Sequence, residues 1–156
     1  MRSIERAAFA LMRDMHRALD ETYAAVRTAR SMRAQAREVT KRLTDAGRDA
    51  GEVSRAADAL AADLTAIEND LMQTKNEADQ DVENFPTKLD NQLAYVYGLV
   101  GETDAAPTDG QAARFQDLRG QLDAVLARLA EATGPKLAAF NEAAMRAGAA
   151  PVLVPK

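Results

Sequence analysis

The chain has 156 residues, enough for one ordinary domain, and its 20 Lys and Arg stand against 24 Asp and Glu, a formal net charge of −4. Thirty-four residues are alanine and only 4% are aromatic, a composition that favours closely packed helices over β-strands. The lack of cysteine and the single histidine exclude a disulfide scaffold, a thiolate nucleophile and metal centres built on Cys or on two His ligands.

The first predicted element is a long helix over residues 4–46. Starting at Ile4, apolar residues follow one another at alternating steps of four and three, and Thr22 is the only polar residue in the series. A seven-residue repeat held over this length is typical of a left-handed, coiled-coil-like seam. Such a helix would be about 65 Å long at roughly 1.5 Å per residue.

Two further helices are predicted before residue 101. The four-three spacing resumes at Val53 and predicts a second helix over residues 49–78, an antiparallel neighbour of the first. Pro86 suits a first helical turn, so a third helix is predicted over residues 86–100. The link between these helices permits either a reversal, which gives a four-helix bundle, or a continuation in the same direction, which gives a long bundle of three layers.

The last helix is predicted over residues 108–147. Thr108 begins a capping box at its start, and Gly134-Pro135 must kink or interrupt it. Prolines bound the final residues, so the tail over residues 149–156 is predicted to be extended. The chain is therefore predicted to be a single all-α domain over residues 1–156, an up-and-down helical bundle with a long, coiled-coil-like first helix.

No catalytic, cofactor-binding or metal-ligating residue is predicted. The only histidine, His16, lies near Arg13 and off the apolar seam, which argues against di-iron and haem sites. The acidic run that contains Asp79 and Asp81 lacks the central glycine and terminal glutamate of a calcium loop, so we expect a solvated connection there. The chain also lacks a phosphate-binding glycine loop and a nucleophile elbow.

Two closely spaced pairs of side chains receive a structural interpretation. Glu68 and Asp70 lie two residues apart on a predicted helix, which points them to different faces, so we expect exposed charges rather than an acid–base pair. Tyr95 and Tyr97 diverge in the same way. We expect one of these two rings in the core and the other at its edge.

Charge and hydropathy also bear on partners. Residues 1–50 carry eleven Lys and Arg against seven Asp and Glu, but they contain no basic cluster interleaved with aromatic residues, so no nucleic-acid partner is predicted. The sequence shows neither a signal peptide nor a run of about 18 apolar residues, so no membrane partner is predicted. The chain as written would be cytoplasmic, and it would be exported if it were a fragment of a secreted parent.

One segment is not generic. Residues 80–93, Gln-Asp-Val-Glu-Asn-Phe-Pro-Thr-Lys-Leu-Asp-Asn-Gln-Leu, resemble the C-terminal helical region of bacterial BNR-repeat, sortilin-like (VPS10-type) proteins, which are often labelled glycosyl hydrolases. The loop Ala106-Pro107-Thr108, together with Phe115 and Asn141, continues the resemblance. Glu83 departs from it, because the family has an apolar residue at this place. The β-propeller that would carry a hydrolase site in that family is absent from this chain, so the resemblance implies no activity here.

The resemblance implies structural roles for a set of motif residues. Asn84 and Thr108 would cap helices, Pro86 would begin a helix, and Phe85 would close the end of the bundle. The full set is Asn84, Phe85, Pro86, Lys88, Leu89, Asn91, Leu93, Pro107 and Thr108.

Three functions are compatible with these observations. The first, implied by the resemblance, is a non-catalytic module that packs on, or mediates association for, the propeller domain of a longer parent. The second is a coiled-coil adaptor that self-associates through helix 1. The third is a ligand-sensing bundle, which requires a polar interior pocket, and only Thr22 and Thr74 place polar groups on the apolar seams.

Overall fold

A computed structural model describes residues 2–75, 85–102 and 105–155, with side chains from Arg6 onward. Every regular element in these ranges is helical, so the predicted all-α helical bundle is confirmed. None of the described helices is both long and apolar enough to cross a membrane. The elements are α1 (Arg2–Asp45), α2 (Gly51–Leu71), α3 (Leu89–Gly101), α4 (Asp109–Glu131) and α5 (Leu137–Arg146), with a π-helical turn at Ala132–Lys136 between the last two.

The predicted seam of α1 is buried over most of its length. From Met15 to Leu43 every member of the series is buried, including Thr22, whose hydroxyl donates to the carbonyl of Ala18 at 2.7 Å. That local hydrogen bond satisfies the hydroxyl, so a threonine is tolerated among apolar neighbours. Ala46, the last member of the predicted series, is exposed beyond the end of the helix.

Two predicted helix boundaries near the distinctive segment are wrong. Helix α2 ends at Leu71 rather than near residue 78, because its apolar repeat stops there and the Gln73 side chain accepts the N–H of Lys75. Helix α3 begins at Leu89 rather than at Pro86. The carbonyl of Pro86 accepts the Gln73 amide instead, which holds this residue outside the helix.

The helix over the C-terminal third of the chain changes its type at Gly134-Pro135. Proline has no N–H and its ring collides with the carbonyl four residues earlier, so an α-helical turn is costly here. The chain forms a π-helical turn at Ala132–Lys136 and then resumes as α5. A wider turn of this kind accommodates the proline without ending the helix.

The chain divides into two compact units. The first unit comprises residues 1–24 and 69–125. Within it, α3 runs antiparallel to α1, because Met12 lies against Gly101 and the His16 ring lies 6.3 Å from that of Tyr97.

The second unit comprises residues 25–68 and 126–156. In this unit α2 runs antiparallel to α1, as Arg30 and Arg33 both reach Glu68 and Arg33 also reaches Thr65. Helix α5 follows the π-helical turn and contributes Leu137, Phe140, Ala143 and Ala144 to the core. The tail adds one more buried side chain, Val152.

Candidate functional site

A groove lies between α3 and the start of α4 in the first unit. It encloses about 800 Å³ and is open to solvent. Its walls combine aliphatic and aromatic surface from α3 with small and polar groups around the start of α4. The lining residues are Thr87, Asn91, Gln92, Tyr95, Val96, Leu99, Thr108, Gly110, Gln111 and Arg114.

Two glutamine side chains set the spacing of the two helices. Gln111 accepts the N–H of Thr108 at 2.8 Å and donates to the carbonyl of Leu99 at 3.3 Å. Gln92 accepts from Arg114 at 2.6 Å and donates to the carbonyl of Thr87 at 3.0 Å. These hydrogen bonds link α3 to the start of α4 and so hold the two walls of the groove in place. The Tyr95 side chain is 68% exposed and can contact a partner.

The predicted capping box at the start of α4 is formed. The N–H of Gln111 donates to the Thr108 hydroxyl at 3.2 Å, and the N–H of Thr108 donates to the Gln111 side chain. This reciprocal arrangement satisfies two donors at the beginning of a helix. Thr108 therefore has the capping role that the sequence predicted, and it also borders the groove.

The structure separates the other predicted motif residues that it describes into four places. Leu89 and Leu93 are buried in the core, Asn91 lines the groove, and Pro107 is half-buried next to the capping box. Phe85, Pro86 and Lys88 line a second, smaller depression with Gln73 and Lys75. Asn84 lies outside the described residues, as do Asp79, Asp81 and Glu83.

The residues before and within α3 differ in burial. Phe85 is half-buried, with the Lys75 ammonium 5.8 Å from its ring centroid, and its role in closing the end of the bundle stays a prediction. Lys88 occupies the position before the first helical turn, and its side chain makes no capping hydrogen bond. Neither tyrosine is in the core, because Tyr97 is half-buried and Tyr95 is exposed.

A buried ion-pair network in the second unit was missed by the sequence interpretation, which expected Glu68 to be exposed. Only 5% of Glu68 is exposed, and its carboxylate oxygens accept from Arg30 and Arg33, both at 2.6 Å. Arg33 also donates to the Thr65 hydroxyl at 3.0 Å. Burial alone would raise the pKa of Glu68, but the hydrogen bonds and charges of the two arginines outweigh it and hold this pKa below its usual value.

A signal for the Glu68 network was present in the sequence. Glu68 follows Leu64 by four residues and precedes Leu71 by three, which places it on the same side of α2 as the apolar seam. What the sequence does not contain is the register that brings Arg30 and Arg33 to this carboxylate.

Asp90 is a second buried carboxyl, in the first turn of α3. It is 7% exposed, and its Oδ1 atom has no hydrogen-bond partner. Burial raises the pKa of Asp90, although its own N–H and that of Asn91 donate to the carboxylate and act in the opposite direction.

The first unit also contains an exposed histidine and a charged cluster on α4. His16 lies 3.7 Å from Asp20 with most of its side chain in solvent, in line with its predicted position off the seam. Arg119 bridges Glu21 and Asp123, and its hydrogen bond holds the pKa of Asp123 below the usual range.

Within the described ranges, no three His, Cys, Asp or Glu side chains are grouped as metal ligands would be.

Comparisons with protein-family models, with curated proteins and with solved structures gave no significant match to this chain. The resemblance to BNR-repeat, sortilin-like proteins therefore stays a prediction.

Proposed function

We propose that this chain is a non-catalytic helical module that binds another polypeptide through the groove between α3 and α4. The observation that carries the proposal is that two segments of the family resemblance, residues 80–93 and 106–108, meet at one groove that is open to solvent. Asn91 from the first part and Thr108 from the second both line the groove. The exposed Tyr95 ring and the side chains of Val96 and Leu99 supply apolar surface between them.

The chemistry of this surface suits a protein partner. Aromatic side chains are enriched at the centres of protein interfaces, where they contribute a large apolar area with few rotatable bonds. Gln92 and Gln111 already hold their partners within the chain, so covering the groove does not leave their amides unpaired. The partner that the family resemblance implies is a β-propeller domain.

The test uses the chain and a separately produced BNR-repeat propeller from the same organism, with binding measured by calorimetry. Tyr95→Asp should weaken this binding at least tenfold, because it places a charge in the apolar part of the groove. Ala94→Asp is the matched control, since Ala94 is the exposed neighbour of Tyr95 on α3 and does not line the groove. Equal effects of the two substitutions, or no binding by the unmodified chain, would contradict the proposal.

The non-catalytic part of the proposal has its own test. The chain should show no turnover of nitrophenyl glycosides, because the resemblance concerns a helical region and not the propeller. Turnover that disappears on substitution of a single carboxylate would make the chain an enzyme and would end this part of the proposal.

Self-association through the start of α1 is a second candidate function, and one observation favours it. Phe9 is 69% exposed on α1, and its neighbour Leu11 is only half-buried. From Met15 to Leu43 the seam is buried within the chain, so among the described residues the seam itself offers apolar surface to another copy only before Met15. A dimer in sedimentation equilibrium that becomes a monomer with Phe9→Asp would support this candidate, and a monomer at all concentrations would reject it.

A further inference from the structure

The C-terminal tail occupies a slot in the second unit that two side-chain amides build. Asn141 on α5 accepts the N–H of Val152 at 2.7 Å and donates to the carbonyl of the same residue at 2.9 Å. Gln35 on α1 accepts the N–H of Leu153 at 3.3 Å and donates to its carbonyl at 3.0 Å. Each amide thus pairs with both backbone groups of one residue, as a residue of a neighbouring β-strand would.

The tail in this slot has the geometry of a single β-strand. Consecutive residues turn their backbone groups to opposite sides, Val152 towards α5 and Leu153 towards α1. Their side chains alternate as well, since Val152 is 2% exposed and Leu153 is 70% exposed. The slot therefore recognises an extended segment through its backbone and one buried aliphatic side chain.

The connection that leads from α5 into the tail is short and contains a glycine in a special conformation. Gly148 has a φ of +80°, in the left-handed region that glycine adopts most easily. Arg48 donates to the carbonyls of Ala147 and Gly148, at 3.0 and 2.9 Å. The N–H groups of Gly148 and Ala149 also donate to the carbonyls of Met145 and Ala144, both at 2.9 Å, so the connection is held to α5 as far as Ala149. A tail directed away from its own slot would therefore change its path after Ala149.

We propose that the slot formed by Gln35 and Asn141 also receives the tail of a second copy of this chain. The only segment shown to fit the slot is the chain's own tail, and each copy carries both parts. The contacts are the same whether a tail binds within its own chain or in a second one, so exchange changes few interactions. A reciprocal exchange fills both slots and closes a dimer with two-fold symmetry.

The exposed side of the tail fits this occupant. Leu153 and Val154 are both exposed, the latter by 44%, so the tail presents apolar surface to solvent in its own slot. Exchange would bring this surface towards a second copy. In the single chain, however, the short connection keeps the tail at a high effective concentration near its own slot, so exchange in the unmodified protein competes with an intramolecular reaction.

Two full-length variants remove that competition. The donor, Gln35→Ala with Asn141→Asp, keeps an intact tail, but its slot lacks the Gln35 amide and the amide that donates to the carbonyl of Val152. The acceptor, Val152→Asp, keeps an intact slot, but a charge replaces the buried side chain of its tail. A chain with all three substitutions is the matched control, because its slot and its tail are both disabled. Circular dichroism verifies that each variant retains its helices, and Val152→Asn serves as the acceptor if the aspartate variant does not fold.

In sedimentation equilibrium, an equimolar mixture of donor and acceptor should have a weight-average mass that rises with concentration. The rise should begin at 16.8 kDa, the mass of one chain, and end at twice that mass. Each variant alone, and the acceptor mixed with the triple variant, should show no such rise. Association of the acceptor with the triple variant to the same extent would overturn the proposal, because that complex would not use the tail. A mixture of donor and acceptor that stays monomeric up to millimolar concentration would overturn it as well. Donor, acceptor and triple variant all carry Phe9→Asp as well, which removes the apolar side chain proposed for association through α1, and all keep Tyr95. A rise in mass that is confined to the mixture of donor and acceptor therefore reports the tail alone.

Discussion

Removal of the Glu68 carboxylate is the sharpest test of how the second unit is held together. Glu68→Ala deletes two hydrogen bonds of 2.6 Å and leaves the guanidinium groups of Arg30 and Arg33 without their shared anion. The two arginines differ in exposure, because 17% of the Arg33 side chain is exposed against 53% for Arg30. Water can therefore replace the carboxylate at Arg30 more easily than at Arg33.

The magnitude follows from that difference. Breaking a fully buried ion pair by removal of one partner costs about 3–5 kcal/mol, whereas an exposed pair contributes only about 0–1 kcal/mol. Since one arginine of the network is half-exposed, we expect Glu68→Ala to lower the free energy of unfolding by about 2–3 kcal/mol. For a chain of this size that loss corresponds to a fall in Tm of roughly 4–12 °C.

Urea unfolding followed by circular dichroism measures this loss, and Glu52→Ala is the matched control. Glu52 lies on the same helix and pairs with Arg146, but both side chains are about 60% exposed, so its removal should cost only about 0–1 kcal/mol. Equal costs for the two substitutions would refute the reasoning from burial. A double-mutant cycle with Arg33→Ala should give a coupling energy of about 1–2 kcal/mol, and additive effects would show that the two side chains act independently.

The same carboxylate makes a prediction about pH. The pKa of Glu68 is lower in the folded chain than in the unfolded chain, so its contribution is fully present above the unfolded pKa and is lost as the pH falls through the folded pKa. Between pH 6 and pH 3 the unmodified chain should therefore lose more stability than Glu68→Gln, which cannot titrate. Parallel losses in urea unfolding at the two pH values would contradict this sign.

Three further substitutions test individual residues. Asp90→Asn should raise the free energy of unfolding by about 1 kcal/mol at pH 7, because burial raises the pKa of Asp90 and makes its charged form costly. The gain should disappear as the pH falls through the raised pKa to the ordinary pKa of aspartate, and a gain that is constant with pH in urea unfolding would contradict this cause. Thr108→Ala removes a helix cap and should cost about 1 kcal/mol in thermal unfolding, whereas an unchanged Tm would show that the cap contributes nothing. Gly148→Ala should cost about 1–2 kcal/mol, because φ is +80° and a residue with a Cβ is strained in this conformation. Ala149→Gly at the next residue is the control, and equal Tm values for these two variants would argue against backbone strain.

Much of the fold could be predicted because helix periodicity is a local property. The series from Met15 to Leu43 marks the buried face of α1 directly, since residues three and four apart share one side of any helix. The capping box at Thr108 was also visible, as both partners lie within one turn. Boundaries near Pro86 were not predictable in the same way, because the carbonyl of this residue pairs with Gln73, thirteen positions earlier in the chain.

The groove and the tail slot depend on pairings that no local pattern contains. Gln111 and Leu99 are twelve residues apart, and Gln35 and Leu153 are 118 residues apart. A glutamine on an exposed helix face gives no indication of whether it faces water, another helix or an extended strand. These polar contacts are consequently the part of the candidate sites that sequence reasoning missed.

The amino-acid sequence by itself thus determined that this protein is all-helical, which face of its long first helix is buried and where one capping box begins. These properties follow from interactions between residues a few positions apart, and composition and spacing record them. The tertiary structure alone decided that Glu68 is a buried partner of two arginines, that α3 and α4 enclose an apolar groove, and that Asn141 and Gln35 hold the tail as a neighbouring strand would. The physical reason is that each of these contacts depends on the register and orientation of helices distant in the chain, which packing of the whole core selects.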